Sequence, residues 1–403
     1  MRRRSAVTAA VTAGALVLVA SCAVPAAPAA PAPARGGGLV AFSGWVGDDT
    51  EQSLRTVDPG TGQVRTVAPG RPGDVSWSAD GRRLVWIGFD GRTDGGSTLY
   101  SARPDGSDRR ALMSGFDLRA VATGPDGSIA VARSAVQTDA DCATRPPVPV
   151  AELVLLSPAG VVHSLGHVPV NTADLTFSPD GATLLWRAQA GDSCTGGDYE
   201  VFLTDLASGR TRQVAGDARR SGWASFSAGA TTVVAARSDE LGQDLVRIDV
   251  ATATSQREVT PAFAEEFPVF SPDGTKLAMV RTPEAPAAPG EGVSFRPTGA
   301  PRVVVTDAGG RLLQDLGPAP VRVEHLVWAP DGTFLALDGF TSVSACEGCD
   351  YGSADPAVWR FPLDGGAPSL LTTAGGFDSA DLVVQPTVPD APALDRGARR
   401  LRP

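Results

Sequence analysis

Apolar and polar residues alternate with period two in short runs along this chain, and the runs recur in one order. YEVFLTDLASGRTRQV from Tyr199, RVVVTDAGGRLLQDL from Arg302 and AVWRFPLDGGAPSLL from Ala357 each read as strand, polar turn, strand. SLRTVDPGTGQVRTV from Ser53, LYSARPDGSDRRAL from Leu99, LVLLSPAGVVHSL from Leu153 and DLVRIDVATATSQREV from Asp244 repeat the pattern. Alternation of this period, broken by Asp-Gly, Gly-Gly or Pro-Gly pairs, predicts half-buried β-hairpins.

A second phrase precedes these hairpins. It stands as WSADG from Trp77, GPDG from Gly124, FSPDG from Phe177, FSAG from Phe226 to Gly229, FSPDG from Phe270 and WAPDG from Trp328, each followed by an apolar run. Pro presets φ for a tight turn, Asp bonds the nearby backbone, and Gly accepts a positive φ. A unit of about fifty residues with an inner strand, this turn, a second strand and an outer hairpin predicts a propeller blade.

Seven outer hairpins stand against six turn phrases, so one blade lacks its first strand. LVAFSG at Leu39 to Gly44 fits a second strand, and SADLVVQPT at Ser379 to Thr387 fits an inner strand from the far end of the chain. The expected fold is all-β: a seven-bladed β-propeller of four-stranded antiparallel blades over 38–387, closed by pairing of the C-terminal strand with the N-terminal blade. Closure removes the open sheet edges that a ring with a gap would keep. Six or eight blades are the alternatives, and six would require one of the hairpins to be spurious.

The first residues break the pattern. Arg2 to Arg4, an Ala-rich apolar stretch and Val19-Ala20-Ser21-Cys22 predict a lipoprotein signal peptide over 1–21 with Cys22 as the acylated first residue of the mature chain. AVPAAPAAPAPARGGG then reads as an Ala/Pro-rich tether over 22–37, and 388–403 as a disordered tail. The chain carries 45 acidic against 35 basic residues, a net charge of −10, and the leader takes three of the arginines with it. That balance argues against nucleic acid as a partner.

FSPDGTKLAMV, FSPDGATLLW and WSADGRRLVW resemble the TolB-like, WD-repeat-like propellers of bacterial envelopes over nearly all of 38–387. The resemblance implies an extracytoplasmic ring; here it would sit on the outer face of the cytoplasmic membrane, anchored through Cys22. TolB proteins carry an α/β domain before a six-bladed ring, whereas only the tether precedes the ring here. Peptidases with similar propellers add a hydrolase domain with a G-x-S-x-G turn, for which this length has no room.

Candidate chemistry is sparse. His163, His167 and His325 share no ligand-like spacing; four residues along a strand put two side chains about 13 Å apart, too far for one metal. Cys142 and Cys194 fall in the same loop position of consecutive blades and are expected to form one disulfide, with Cys346 and Cys349 closing a second. The loops joining second and third strands are acidic or Gly-rich and emerge on one face, where Trp45, Asp48, Asp49, Asp90 and Tyr351 are candidate partner contacts. The aromatic residues of the turn phrase are assigned to the core between blades. No catalytic residue, metal ligand or cofactor site is expected. The reading is a monomeric, non-enzymatic scaffold that binds an envelope protein or cell-wall component; the alternative is a propeller hydrolase or lyase acting on a sugar or lactone through carboxylates at the central channel.

Overall fold

The computed structural model describes residues 38–46, 52–70, 72–89, 96–134, 150–169, 171–189, 199–214, 224–239, 242–258, 260, 262–286, 295–320, 322–343, 354–375 and 382–386. The leader, tether and tail assigned from the sequence lie outside them. Every regular element among the described residues is a strand, and the strands form seven four-stranded antiparallel blades in a ring. Blade 2, for example, runs outward through Pro72–Trp77, Leu84–Phe89, Gly96–Ala102 and Arg110–Phe116. Blades 3 to 7 begin at Leu118–Thr123, Thr172–Phe177, Ala224–Phe226, Phe263–Phe270 and Arg322–Trp328. Blade 6 adds a short strand, Phe295–Pro297, on the extended end of its second strand.

Blade 1 is completed by the far end of the chain, as the count of hairpins anticipated. Val383–Val384 pairs with Val40–Val46, which pairs in turn with Ser53–Val57 and then Val64–Pro69. Gln385 fastens the junction. Its N–H donates to the Leu39 carbonyl at 2.8 Å, its Oε1 accepts from the Leu39 N–H at 3.0 Å, and its Nε2 donates to the Gly81 carbonyl at 2.6 Å.

The turn phrase is explained atom by atom in blade 4. Ser178 Oγ donates to Asp180 Oδ1 and accepts from the Thr183 N–H, the Gly181 N–H donates to the Ser178 carbonyl, and Gly181 adopts φ +71°. Blades 2 and 6 repeat this set around Ser78 and Ser271. In blade 6 the Ser271 hydroxyl and the Thr275 N–H hold the Asp273 carboxyl down at about 2. Blade 5 differs from the expectation that Gly229 ends its phrase: Ala230 takes the left-handed position at φ +56° and donates its N–H to Ser227. A Cβ in that region costs about 1–2 kcal/mol. Ala230→Gly is therefore expected to stabilise the protein by about 1 kcal/mol, read as a higher urea midpoint at unchanged slope.

The aromatic residues of the phrase pack against the preceding blade. Trp77, Phe177, Phe226, Phe270 and Trp328 each join a different apolar cluster, and the described core divides into one cluster per blade interface. Both tryptophans of the phrase also bond the neighbouring inner strand, Trp77 Nε1 to the Val383 carbonyl and Trp328 Nε1 to the Val269 carbonyl. The sheets stack through Trp86, Trp186, Phe42 and Phe334, all nearly inaccessible. Each blade thus buries its faces only against its two neighbours, which makes the ring stable only when closed.

Candidate functional site

Antiparallel order sorts the connections by end. First strands run towards the Ser-Pro-Asp-Gly turns, so those turns and the outer hairpin turns share one end of the ring. The connections between second and third strands, and the crossovers between blades, issue from the other end. The strands flanking the predicted contact loops terminate at this loop-bearing end. Asp48, Asp49, Asp90 and Tyr351 themselves lie outside the described residues, as do Cys22, Cys142, Cys194, Cys346 and Cys349. Trp45 is described in its backbone alone, which pairs with Gly375 where the last outer strand approaches blade 1.

At this end the first strands lose register with their neighbours. Shifts fall between Pro72 and Val75, Leu118 and Ala120, Ala173 and Thr176, Glu266 and Val269, and Val323 and His325. Bulges bend a strand and re-aim its side chains. Asp117, Asp174 and Phe267 accordingly adopt φ of +44°, +54° and +53°. The polar groups beside these irregularities are held by partners: Asp174 by Arg187, Asp117 by Arg119, and Glu265 by both Arg281 and the Thr260 hydroxyl. His325 Nδ1 lies 2.8 and 2.9 Å from the two oxygens of the fully buried Asp338. His163 and His167 lie exposed on the outermost strand of blade 3. Among the described residues no group of three or more His, Cys, Asp or Glu side chains is placed to hold a metal ion.

Burial pushes the Glu266 carboxyl above its ordinary 4.5, the bond from Gln243 opposes the shift, and the nearby Glu284 charge adds to it. Glu284 is raised by burial and by the charge of Asp244, which itself binds Arg257. Burial also raises Glu324. A carboxyl raised in the folded state favours folding below its unfolded pKa, and that contribution is lost as pH rises through the folded value. Glu266→Gln should therefore lose less stability than the parent as pH rises above 4.5. Paired melts across that range check it, and identical pH slopes would contradict it.

A slot between blades 1 and 2 escaped the sequence reading. Trp86 and Tyr100 are cross-strand partners with ring centroids 5.6 Å apart, and the Arg109 guanidinium lies 4.0 Å over Tyr100 and 5.5 Å from Trp86. Ala68, Pro69, Gly70 and Pro72 of the blade 1 to blade 2 crossover form the opposite wall, and Phe89, 41% exposed, forms the rim. The groove holds about 40 Å³ and opens to solvent. Gly88 keeps it clear, since a Cβ there would stand 2.8 Å from the Tyr100 ring.

No protein-family model matches the chain. The chain is 34% identical over 121 residues to a TolB homolog from Chlorobium chlorochromatii, a match spanning 30% of this chain. That match covers 26% of the relative's own length. Among solved structures it is similar to TolB from Acinetobacter baumannii, with 14% identity and a TM-score of 0.50 over 87% of this chain and 67% of that one. It is likewise similar to the periplasmic gluconolactonase of Pseudomonas aeruginosa, with 14% identity and a TM-score of 0.53 over 87% of this chain and 99% of that one. At such identity the structural likeness is one of fold, found with a TolB protein and with a gluconolactonase alike.

Proposed function

We propose that this TolB-like seven-bladed propeller is a non-enzymatic scaffold of the bacterial cell envelope, held on the outer face of the cytoplasmic membrane by a lipid on Cys22. The carrying observation is the sorting of connections: variable loops issue from one end of the ring, while near-identical hydrogen-bonded turns close the other. Variable loops on a rigid frame are where binding residues concentrate. On this reading an envelope protein or cell-wall component meets the loop-bearing end through Trp45, Asp48, Asp49, Asp90 and Tyr351. The Cys142–Cys194 and Cys346–Cys349 disulfides would staple those loops, and a monomer suffices.

The pairing of the polar groups on the first strands supports a scaffold over a catalyst. Asp174, Glu265 and His325 each engage a partner within their own blade, whereas catalytic carboxylates must meet a substrate at one point. The lactonase likeness favours a second reading, a propeller hydrolase or lyase acting on a sugar or lactone. Purified protein incubated with lactone, glycan and peptide libraries separates the two. No saturable turnover is expected, and turnover abolished by Asp174→Asn or His325→Gln would establish the enzyme instead.

A further inference from the structure

We infer that the turn end of the ring is its membrane-facing end, resting on an anionic phospholipid surface through aliphatic side chains of the outer rim. The inference rests on the proposed lipid anchor at Cys22 and fixes which way the ring stands above it.

The course of the chain is the first observation. Gln385 bonds the N–H and carbonyl of Leu39 as Ser178 bonds those of Thr183 in the turn of blade 4. Leu39 therefore stands at the turn end, and Gln385 also reaches the Gly81 carbonyl in the turn of blade 2. The tether over 22–37 joins the ring at this end, and the tail over 388–403 starts from it. That tail carries Arg396, Arg399, Arg400 and Arg402 in its last eight residues, with no acid among them. Such a basic run on an otherwise acidic chain complements anionic headgroups.

The rim is the second. Among the described residues seven large apolar side chains are exposed, and six of them are Leu112, Val161, Val162, Leu312, Leu313 and Leu370. Each stands within or just before the first turn-end residues of an outermost strand. Farther along those strands Val168 and Leu316 are buried between blades. Surface aliphatics scattered singly need no explanation, but these six gather at the end where the tether joins. They also gather on one side. Their blades, 6, 7, 2 and 3, flank blade 1, which receives the tether, whereas blades 4 and 5 begin their outermost strands Thr211-Arg212-Gln213 and Thr254-Ser255-Gln256. Apolar side chains beside basic ones, close to an anchor, are what a bilayer interface retains.

Photolabelling tests the orientation. The full-length protein, purified from its native membrane, is reconstituted into phosphatidylcholine and phosphatidylglycerol vesicles that contain a phospholipid with a diazirine in its upper acyl chain. Peptide mass spectrometry maps the labels, and the intact mass reports lipid on Cys22. Peptides holding the six aliphatics should be labelled at least about fivefold more than those holding Gln213, Gln256 or the loop-end Pro286. Val162→Ser combined with Leu313→Ser should lower rim labelling about threefold at an unchanged melting temperature. A chain ending at residue 387 should lower it only where phosphatidylglycerol is present. Labels at the loop end, labels spread evenly over both ends, or none on a chain that carries the lipid would overturn the proposal and leave the anchor standing. Cross-links between copies through Leu313 in place of lipid labels would overturn it in favour of a second copy. An intact mass without lipid would remove the anchor and this orientation together.

Discussion

A chain ending at residue 381 is expected to lose its cooperative melt, or to melt at least about 10 °C lower, because five described residues complete both the first blade and the ring. Leu382 is 1% exposed and packs with Val40, Phe42, Val57, Phe334 and Val358, so it joins blades 7 and 1. Val383 packs against the Trp77 cluster and accepts the Trp77 indole, so it joins blades 1 and 2. Leu382 is buried and Val383 and Val384 half-buried; complete burial of such a side chain is worth roughly 1.5–3 kcal/mol, and each hydrogen bond about 1 kcal/mol net. The sum approaches the 5–15 kcal/mol that typically holds a whole domain. Calorimetry of this truncation beside one that ends at residue 387 isolates the strand. The longer truncation should melt within about 2 °C of the parent, and equal melting of both variants would contradict the closure.

The second large effect is expected at blade 6. Glu265 is 2% exposed and accepts from Arg281 Nε at 3.0 Å and from the Thr260 hydroxyl at 3.0 Å, while the Arg281 side chain is itself only 12% exposed. Arg281→Leu strands a buried carboxylate with one neutral donor, at a cost of about 3–5 kcal/mol. Glu265→Leu combined with Arg281→Leu removes both charges and should recover most of that loss, because a buried ion pair adds little over an apolar pair of similar volume. Urea titrations of the parent, both single variants and the double variant give the coupling. A double variant as unstable as Arg281→Leu would contradict the burial described for this pair.

The ring was legible because its information is local. Ser178, Asp180 and Gly181 satisfy one another within four residues, so the turn phrase is visible as a phrase and locates a blade each time it recurs. Even blade 1 could be found, since a missing turn phrase at one end matched an unpaired strand at the other. Blade 5 shows how far such reading goes: Gly229 resembles the terminal glycine, but the backbone assigns that position to Ala230.

The candidate site is built from contacts between residues distant in sequence. Arg187 finds Asp174 only after the register of two strands is set, and a bulge between Ala173 and Thr176 has no sequence signature of its own. Trp86 and Tyr100 stand on paired strands of blade 2 and Arg109 follows in the outer hairpin turn, and nothing in the local pattern sets any of them apart; the slot exists because blade 1 ends beside them. A cross-strand aromatic pair followed by an arginine in the outer hairpin turn was the available signal. The acidic loops were readable as loops, and which of their residues meet a partner depends on an end of the ring that local pattern does not describe.

Site-specific photo-cross-linking in the native envelope tests the central claim, that the loop-bearing end is the binding end. A benzophenone amino acid placed at Pro286 or Pro318, where a second and an outermost strand of blade 6 finish at that end, is compared with one at Ala79 or Pro272 in the opposite turns. The account predicts that mass spectrometry identifies the same envelope component from both loop-end positions and from neither turn position. Capture from the turn end, or no capture from the loop end at native expression, would contradict it.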